Sequence, residues 1–325
     1  DYADETTRLT WDAPAHGHLL LKLEPGQQVD GATLTQPDVR EVGRLAGPVA
    51  VTLSEPNVLL LDQAEWRLDD GDWQPREEIL RLHNDVRAAV DLPPLEGRIA
   101  QPWTESHDPT VLTRLSLRFR LRSEVDVAAA QLAIEEPQDV TITFDGKDVP
   151  VNDAGWWVDE AIRLVDLPGF DAGTHELVIT RAYHCNSHVE WCYLLGDFGV
   201  RMAGRDTVIT APVRELAFGD IVHQGLPFYT GNITYHAEME GGHGNVVLHL
   251  HQFRGALAVV DVDGKRAGPI AFSPYQLALG ELSPGRHRVD ITLYGTRDHA
   301  FGPVHWTVRQ AWCGPQAWRT GGEEW

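Results

Sequence analysis

One stretch of this chain occurs twice, and that repetition limits the fold more than any other feature. Residues 140–180 read as two alternating β segments around a glycine turn, a descending strand, a second glycine turn and a return strand. Residues 256–292 run through the same order about 120 positions later. Asp145-Gly146-Lys147 matches Asp263-Gly264-Lys265, and Ala172-Gly173-Thr174-His175 matches Pro284-Gly285-Arg286-His287. Each second turn enters an alternating strand, Leu177-Val178-Ile179-Thr180 in one copy and Val289-Asp290-Ile291-Thr292 in the other. Internal copies of one supersecondary unit predict two similar β domains in tandem. Between the turns the copies part: Gly155-Trp156-Trp157 stands where the second has Phe272-Ser273-Pro274. What repeats is scaffold, and binding is to be sought where the copies differ.

The rest of the chain fits that frame. Residues 18–23, 47–53 and 57–61 read as strands, and Asp69-Asp70-Gly71-Asp72 is a hairpin signal. One amphipathic helix is expected over 76–91, with Pro75 in its first turn, Glu77 and Glu78 near its positive end and Pro93-Pro94 stopping it. Its stripe of Ile79, Leu82, Val86 and Ala89 is a packing face. Residues 115–121 alternate Leu/Phe with Ser/Arg, as a half-exposed strand does. Many short strands, regular turn signals and no β-α-β rhythm indicate an all-β chain of antiparallel sandwiches. The boundaries expected are an N-terminal β segment over 1–50, a first sandwich with the helix over 51–212, and a second over 213–325.

Composition narrows the partners. The net charge is -21, from 27 Lys+Arg against 48 Asp+Glu. Nucleic-acid footprints are basic, so that charge argues against nucleic acid and against an anionic membrane. No run reaches the ~20 apolar residues that a membrane helix needs. Three cysteines are too few for a disulfide framework. Cys185 and Cys192 lie close enough for a hairpin pair, but Cys313 is then left over, and buried free thiols are expected. The start at Asp1 and the polar end GGEEW are what a fragment or trimmed chain would show.

Several segments, in order, carry a resemblance: NVLLLDQAEWRLDDGDW, then FDGK…GWWVDEAIRLVDL…AGTHELVI, EWCYLLGDFGV, GLPFYTGNITY and LYGTRDHAFGPVHW. This order resembles the C-terminal part of large bacterial glycoside hydrolases of the family 2 and α-L-rhamnosidase type. The resemblance implies two tandem galactose-binding-like jelly rolls. It also implies an upstream catalytic barrel of the same polypeptide as partner, and a carbohydrate, plant or microbial polysaccharide, as ligand. The catalytic carboxylates of such enzymes lie in the barrel, which this chain does not resemble. No G-x-S-x-G, HExxH or P-loop is present, and no catalytic residue is assigned. A non-catalytic carbohydrate-binding region is therefore expected. The alternatives are a structural module that braces the barrel or an oligomer, and a hydrolase or lyase with its site in a sandwich groove.

Sugar recognition stacks aromatic faces on the apolar side of a ring and surrounds its hydroxyls with planar polar groups. Trp156 and Trp157, followed by Asp159 and Glu160, fit that pattern; neighbours on a strand face opposite ways, so one ring is core and the other outward. Packing at a domain interface is the competing reading. Phe228, Tyr229 and Asn232 on one loop are expected beside Arg297, Asp298, His299, His305 and Trp306 on another, against the alternative of a self-packed loop whose Arg and Asp pair internally. His184, Asn186, His188, Glu190 and Trp191 form a further cluster; if the segment is extended, the first four share one face by period two. A polar strand face, or a hydrogen-bonded seam against the neighbouring domain, is its competing reading. No cofactor is expected, apart from a structural calcium for which Asp145, Asp148 and Asp153 would serve. His249 and His251 alternate on one strand face but show no third metal ligand at a recognisable spacing.

Overall fold

The computed structural model of the chain describes residues 2–3, 6–7, 40–94 and 108–301. Regular structure there is almost entirely β. In chain order, β1 (Tyr2–Ala3) and β2 (Thr6–Thr7) pair, followed by β3 (Val49–Leu53), β4 (Asn57–Leu61), β5 (Gln63–Leu68) and β6 (Gln74–Glu78). The helix α1 (Ile79–Ala89) precedes β7 (Thr113–Ser123), β8 (Ala130–Glu135), β9 (Val140–Phe144), β10 (Lys147–Val149) and β11 (Trp156–Trp157). Then come β12 (Asp159–Leu167), β13 (Gly173–Tyr183), β14 (Cys192–Gly196), β15 (Gly199–Ala203), β16 (Asp206–Thr210) and β17 (Glu215–Leu216). Last are β18 (Ile233–Glu240), β19 (Asn245–His249), β20 (Leu257–Val262), β21 (Lys265–Ile270), β22 (Gln276–Glu281), β23 (Arg286–Tyr294) and the short α2 (Asp298–Phe301). The chain is an all-β sandwich protein, as its alternation predicts.

Two compact units result, and neither is continuous in sequence. One comprises the described parts of Asp1–Ser54, Arg214–Gly219 and Gly231–Thr296; the other, those of Glu55–Val213, Asp220–Thr230 and Arg297–Trp325. The division departs from the sequential boundaries at 50 and 212. The strand β3 lies between β17 and β18 in the sheet of the second repeat, with Leu53 opposite Ile233. Residues 220–230 and 297–301 group with the first repeat, where Phe228 and Ala300 join its core. Local pattern marks a strand, whereas its sheet is set by which edge offers a matching register.

The unit of the first repeat packs an eight-stranded sheet on a five-stranded one ordered β11-β12-β8-β14-β4. At the centre of the larger sheet, β7 and β13 pair along their whole lengths, Gly173 with Ser123 through to Tyr183 with Thr113. Leu115, Leu117, Phe119 and Leu121 of β7 are buried, as are Leu177 and Ile179 of β13. The alternate residues of β7 face outward, where Arg118 lies 4.1 Å from the Trp73 ring and pairs with Glu65 at 2.7 Å. Along β8, β14 and β4 the five-stranded sheet is buried on both faces: Leu132 and Ala133 of β8, adjacent and therefore opposed, are both fully enclosed. β14 and β4 accordingly read as continuous apolar runs rather than alternating ones.

The helix starts later than its sequence signals indicate. Gln74–Glu78 is a strand, paired with β5 alone, so Pro75 sits on a sheet edge, where its missing N–H costs no ladder bond. Glu78 is the N-cap and accepts from Arg81 N at 3.0 Å. Ile79, Leu82 and Val86 are buried, as the stripe predicts, whereas Ala89 at its end is exposed. Cys185 and Cys192 are free thiols. Cys313 and the strand expected over 18–23 lie outside the described residues.

The other unit carries a six-stranded sheet ordered β17-β3-β18-β23-β20-β21 and the pair β19-β22. Its core is smaller and centred on Leu216, Ala258, Val260 and Val289.

The repeated residues prove to be one device used twice. Asp145 and Gly146 both have positive φ, 49° and 72°, as do Asp263 and Gly264, 50° and 75°, so each pair turns a hairpin of the primed type. The Asp145 carboxylate takes His175 Nδ1 at 2.7 Å and Glu176 N at 2.9 Å, while His175 Nε2 reaches Asp171 O at 2.8 Å. In the second copy Asp263 takes His287 Nδ1 at 2.7 Å and Arg288 N at 3.0 Å, and His287 Nε2 reaches Ser283 O at 2.9 Å. Both ring nitrogens face acceptors, so the clasp is complete only when the imidazole carries two protons.

Partial burial alone would lower the His175 pKa, but its bonds to Asp145 and the Asp171 carbonyl outweigh that and raise it. His287 is raised, chiefly by Asp263, and Asp263 is lowered, chiefly by His287. Burial acts upward on Asp145, and the bonds to His175 and Glu176 N reverse it, for a net lowering. A raised histidine stabilises the fold fully below its unfolded value of about 6.5, and the contribution is lost as pH rises through the folded value. A lowered aspartate contributes above about 3.9 and loses this as pH falls through its folded value. His175→Gln is therefore expected to lower the thermal midpoint by about 3 °C at pH 6 and by clearly less at pH 9. Melting curves at the two pH values check this, and an equal drop at both would show that the imidazolium is not what holds the turn.

Candidate functional site

The first candidate is the β11–β12 hairpin. The ladder sets Trp156 opposite Arg163, and a bulge follows before Trp157 pairs with Asp159. Val158, between them, has φ 68°. Positive φ is a marked outlier for a β-branched residue, and strain of this kind persists only where the surroundings hold it. The two indoles separate as adjacent strand residues must. Trp157 is 6% exposed, with its ring centroid 4.8 Å from Tyr193 and 5.5 Å from Phe301. Trp156 is 51% exposed.

Planar polar groups line the same hairpin. Arg163 donates to Asp153, whose carboxylate also accepts Gly155 N at 3.2 Å. The Arg163 bond holds the Asp153 carboxyl below the usual carboxylate range. Asp166 accepts from Asn152 Nδ2 and from Gln131 Nε2, both at 2.8 Å. Residues 152–166 thus supply an exposed indole and a set of oriented carboxylate, amide and guanidinium groups.

The second cluster is not the single polar face that an extended segment would make. Residues 184–191 form a loop with a turn, in which His184 N donates to Ser187 Oγ at 2.8 Å and Ser187 N to His184 O at 3.1 Å. Period two therefore does not apply, and His184, Asn186, His188 and Glu190 are not aligned. The loop is bound to α1. Arg87 donates to Cys185 O at 3.1 Å, Trp191 Nε1 to Glu78 Oε1 at 2.7 Å, and His83 Nε2 lies 2.9 Å from the Tyr183 hydroxyl. Burial, then the Arg87 charge, pushes His83 down to about 3, so this imidazole is neutral. These bonds tie the loop to the helix of its own unit, not to a neighbouring domain.

Carboxylates gather beside that loop, which sequence reading did not bring together. Glu78 is buried, and burial first raises its carboxyl above the usual range. Glu135 is raised as well, by burial and then by the neighbouring Glu136 charge. Glu190 keeps an exposed surface, yet protein crowds its carboxyl from one side. That crowding, ahead of the Glu135 and Glu78 charges, pushes it up to about 7. No sequence signal joins residues 78, 135 and 190, because three separate elements deliver them.

The loops expected to close over a sugar are instead closed on themselves. Phe228 and Tyr229 are 4% and 2% exposed, so neither ring offers a face. Arg297 makes a bidentate pair with Glu55, 2.7 Å on each branch, and reaches Thr230 Oγ1 at 3.0 Å. The expected pairing of Arg297 with an aspartate of its own loop does not occur: its partner is the distant Glu55. Asp298 opens α2 and is exposed, whereas His299 is half-buried. Asn232 belongs to the other unit, where its Oδ1 accepts Gly295 N at 3.3 Å. His305 and Trp306 lie outside the described residues.

In the unit of the second repeat, His249 and His251 meet edge to face at 5.9 Å. Among the described residues no group of three or more His, Cys, Asp or Glu is placed to hold a metal. Asp145 and Asp153, two of the three aspartates considered for calcium, are engaged by His175 and Arg163. A hydroxyl–imidazole–carboxylate row, absent from the sequence reading, crosses this sheet: Thr52 Oγ1 is 2.8 Å from His236 Nε2, and His236 Nδ1 is 2.7 Å from Asp290 Oδ1. The row continues sideways as Thr234 with Thr292 at 2.9 Å and Arg288 with Asp290 at 2.8 Å. β18 is hydrogen-bonded on both sides, by β3 and β23, so its backbone donors serve ladders rather than an oxyanion. The row is a cross-strand polar ladder.

No family model matches the chain, and no curated protein matches it. Among solved structures, it is similar to a Streptomyces avermitilis α-L-rhamnosidase complexed with L-rhamnose, at 15% identity and TM-score 0.27, over 57% of this chain and 23% of that one. It is similar to an Eisenbergiella tayi GH2 β-galacturonidase at 9% identity and TM-score 0.25, over 76% of this chain and 37% of that one. An anti-sigma factor domain-containing protein from Clostridium clariflavum follows at 9% identity and TM-score 0.20, over 73% and 90%. The chain spans well under two thirds of the two hydrolases, and superpositions this loose assign it to none of these families.

The raised carboxyl of Glu190 has a measurable consequence. Its folded pKa lies above the ordinary value of 4.5, so the folded state binds the proton more tightly and loses stability as pH climbs from 4.5 through about 7. Glu190→Gln removes that loss. Its thermal midpoint is expected to exceed that of the parent by about 1–3 °C at pH 8.5, the small size reflecting solvent screening, and to match it at pH 4. Calorimetry at the two pH values decides; no gain at pH 8.5 would mean that the carboxyl ionises normally.

Proposed function

We propose that this chain is a non-catalytic carbohydrate-binding, substrate-positioning region of a bacterial glycoside hydrolase, acting beside a catalytic domain of the same polypeptide on plant or microbial polysaccharide. The observation that carries the reading is Trp156, half exposed at a strained hairpin and flanked in the ladder by an Arg163 already oriented by Asp153. A pyranose ring would lay its C–H face on the indole, and its hydroxyls would meet Arg163 and Asp153. The order of motifs along the chain supports the glycoside-hydrolase context. A second reading, a bracing module without ligand, draws on the closed Phe228–Tyr229 loop and the Arg297–Glu55 pair.

Titration with galactose-, rhamnose- and arabinose-containing glycans, followed by Trp fluorescence and calorimetry, separates the two. Trp156→Ala is expected to weaken binding about tenfold, the equivalent of ~1.4 kcal/mol, with the melting midpoint nearly unchanged because the ring is exposed. Trp157→Ala is expected to cost about 3–5 kcal/mol of stability, as for a buried aromatic. A parent chain that answers no glycan leaves the bracing reading standing, and turnover of any glycan by the chain alone would overturn the non-catalytic assignment.

A further inference from the structure

Alternation along β7 puts Arg114, Ser116, Arg118, Arg120 and Arg122 on the outward face of the eight-stranded sheet. The ladder sets β5 beside them, with Glu65 opposite Arg118 and Arg67 opposite Ser116. Trp73 stands in the turn between β5 and β6, half-buried, and its ring carries two guanidinium groups, Arg118 at 4.1 Å and Arg67 at 4.6 Å from the centroid. Cations are thus gathered on one strand face of a chain whose net charge is -21.

The anions of this face leave some of those cations unmatched. Glu65 takes both Arg118 at 2.7 Å and Arg120 at 3.0 Å, Glu176 lies 3.7 Å from Arg118, and Asp70 takes Arg114 at 3.2 Å. Among the described residues, Arg67 and Arg122 have no carboxylate and no hydrogen-bond acceptor. Arg67 is held by the indole, with its Nε buried and unbonded. Arg122 is exposed, opposite Thr174 of β13. A guanidinium without an acceptor keeps its planar two-pronged fork for an incoming one, and a carboxylate matches that fork edge to edge. Outward positions on a strand recur every ~7 Å, so Arg118, Arg120 and Arg122 present cations at regular steps, as a polymer with a carboxylate on its repeating unit requires. The acidic remainder of the chain opposes this only weakly, because charges beyond about 10 Å are screened at 0.1 M salt.

We infer that the Arg67, Arg120 and Arg122 face of this sheet binds the carboxylates of a uronate-bearing polysaccharide. The polymer class rests on the carbohydrate-binding reading, but the face belongs to the other sheet from Trp156, so the two can fail separately. The parent is titrated calorimetrically with oligogalacturonate, with the same oligomer fully methyl-esterified, and with dextran sulfate. Oligogalacturonate is expected to bind about tenfold tighter than its ester, which keeps the sugar and removes the charge. Arg122→Gln is expected to weaken oligogalacturonate binding about fivefold, with a melting midpoint within about 1 °C of the parent because the side chain is exposed. The double variant Arg67→Gln/Arg122→Gln is expected to weaken it about twentyfold, and Trp156→Ala to leave it at the parent value. Equal affinity for acid and ester, or parent affinity in the double variant, overturns the inference without touching Trp156. Dextran sulfate that binds as tightly as oligogalacturonate and is lost in the same variant overturns the uronate assignment in favour of a general polyanion surface. Loss of oligogalacturonate binding in Trp156→Ala alone assigns the acid to the indole and overturns the arginine face. Oligogalacturonate binding in a parent that answers no neutral glycan removes the Trp156 reading and keeps this one, and a parent that binds none of the three probes overturns it.

Discussion

The carboxylate at the first position of each Asp-Gly turn is the contact on which both sandwiches hang. It bonds the ring of a histidine and the next backbone N–H in a strand about 25–30 positions downstream, and the ring's far nitrogen bonds a carbonyl just before that strand. One side chain therefore ties a hairpin tip to the entry of the neighbouring strand and sets their register at the point where a slip would begin. A one-residue slip would turn Leu177 and Ile179 out of the core and bring Val178 and Thr180 in. The same contacts at residues 145 and 175 and at 263 and 287 explain why Asp, Gly and His survive in both copies while the residues between them diverge.

With register fixed at that end, the long β7–β13 ladder can bury one face and expose the other along its whole length. The exposed face of β7 is rich in arginine, and Glu65 beside the Trp73 ring gives two of those charges a partner. The β8-β14-β4 part of the five-stranded sheet follows the opposite rule, since both its faces are covered. The raised carboxyls of Glu78, Glu135 and Glu190 stand where protein mass on one side removes solvent without supplying enough positive charge. The Trp156 ring is exposed because β11 is the short edge strand of that sheet.

Much of this was legible in the residues themselves. Alternation along 115–121, the turn at Asp69-Asp70-Gly71-Asp72, the buried stripe of Ile79, Leu82 and Val86 and the opposed fates of Trp156 and Trp157 all follow from periodicity. The errors share a cause. Pro75 and Glu77 carry helix-start signals, yet a free edge beside β5 draws residues 74–78 into a strand. Residues 184–191 have a period-two pattern, yet α1 binds the loop through Arg87, His83 and Glu78, and long-range contacts outweigh local preference. Arg297 was matched to the nearby Asp298, whereas its bidentate partner, Glu55, is 242 positions away.

The sequence by itself determined the class of fold, the duplication, the turns and the direction in which most strand residues point, because these depend on neighbours within a few positions. Only the tertiary structure decided which sheet takes β3, that the repeated Asp and His are partners, that Thr52, His236 and Asp290 form a row, and that Phe228 and Tyr229 are sealed while Trp156 is exposed. Those outcomes depend on distant segments competing for the same edge or the same buried space, and no local pattern records which of them wins.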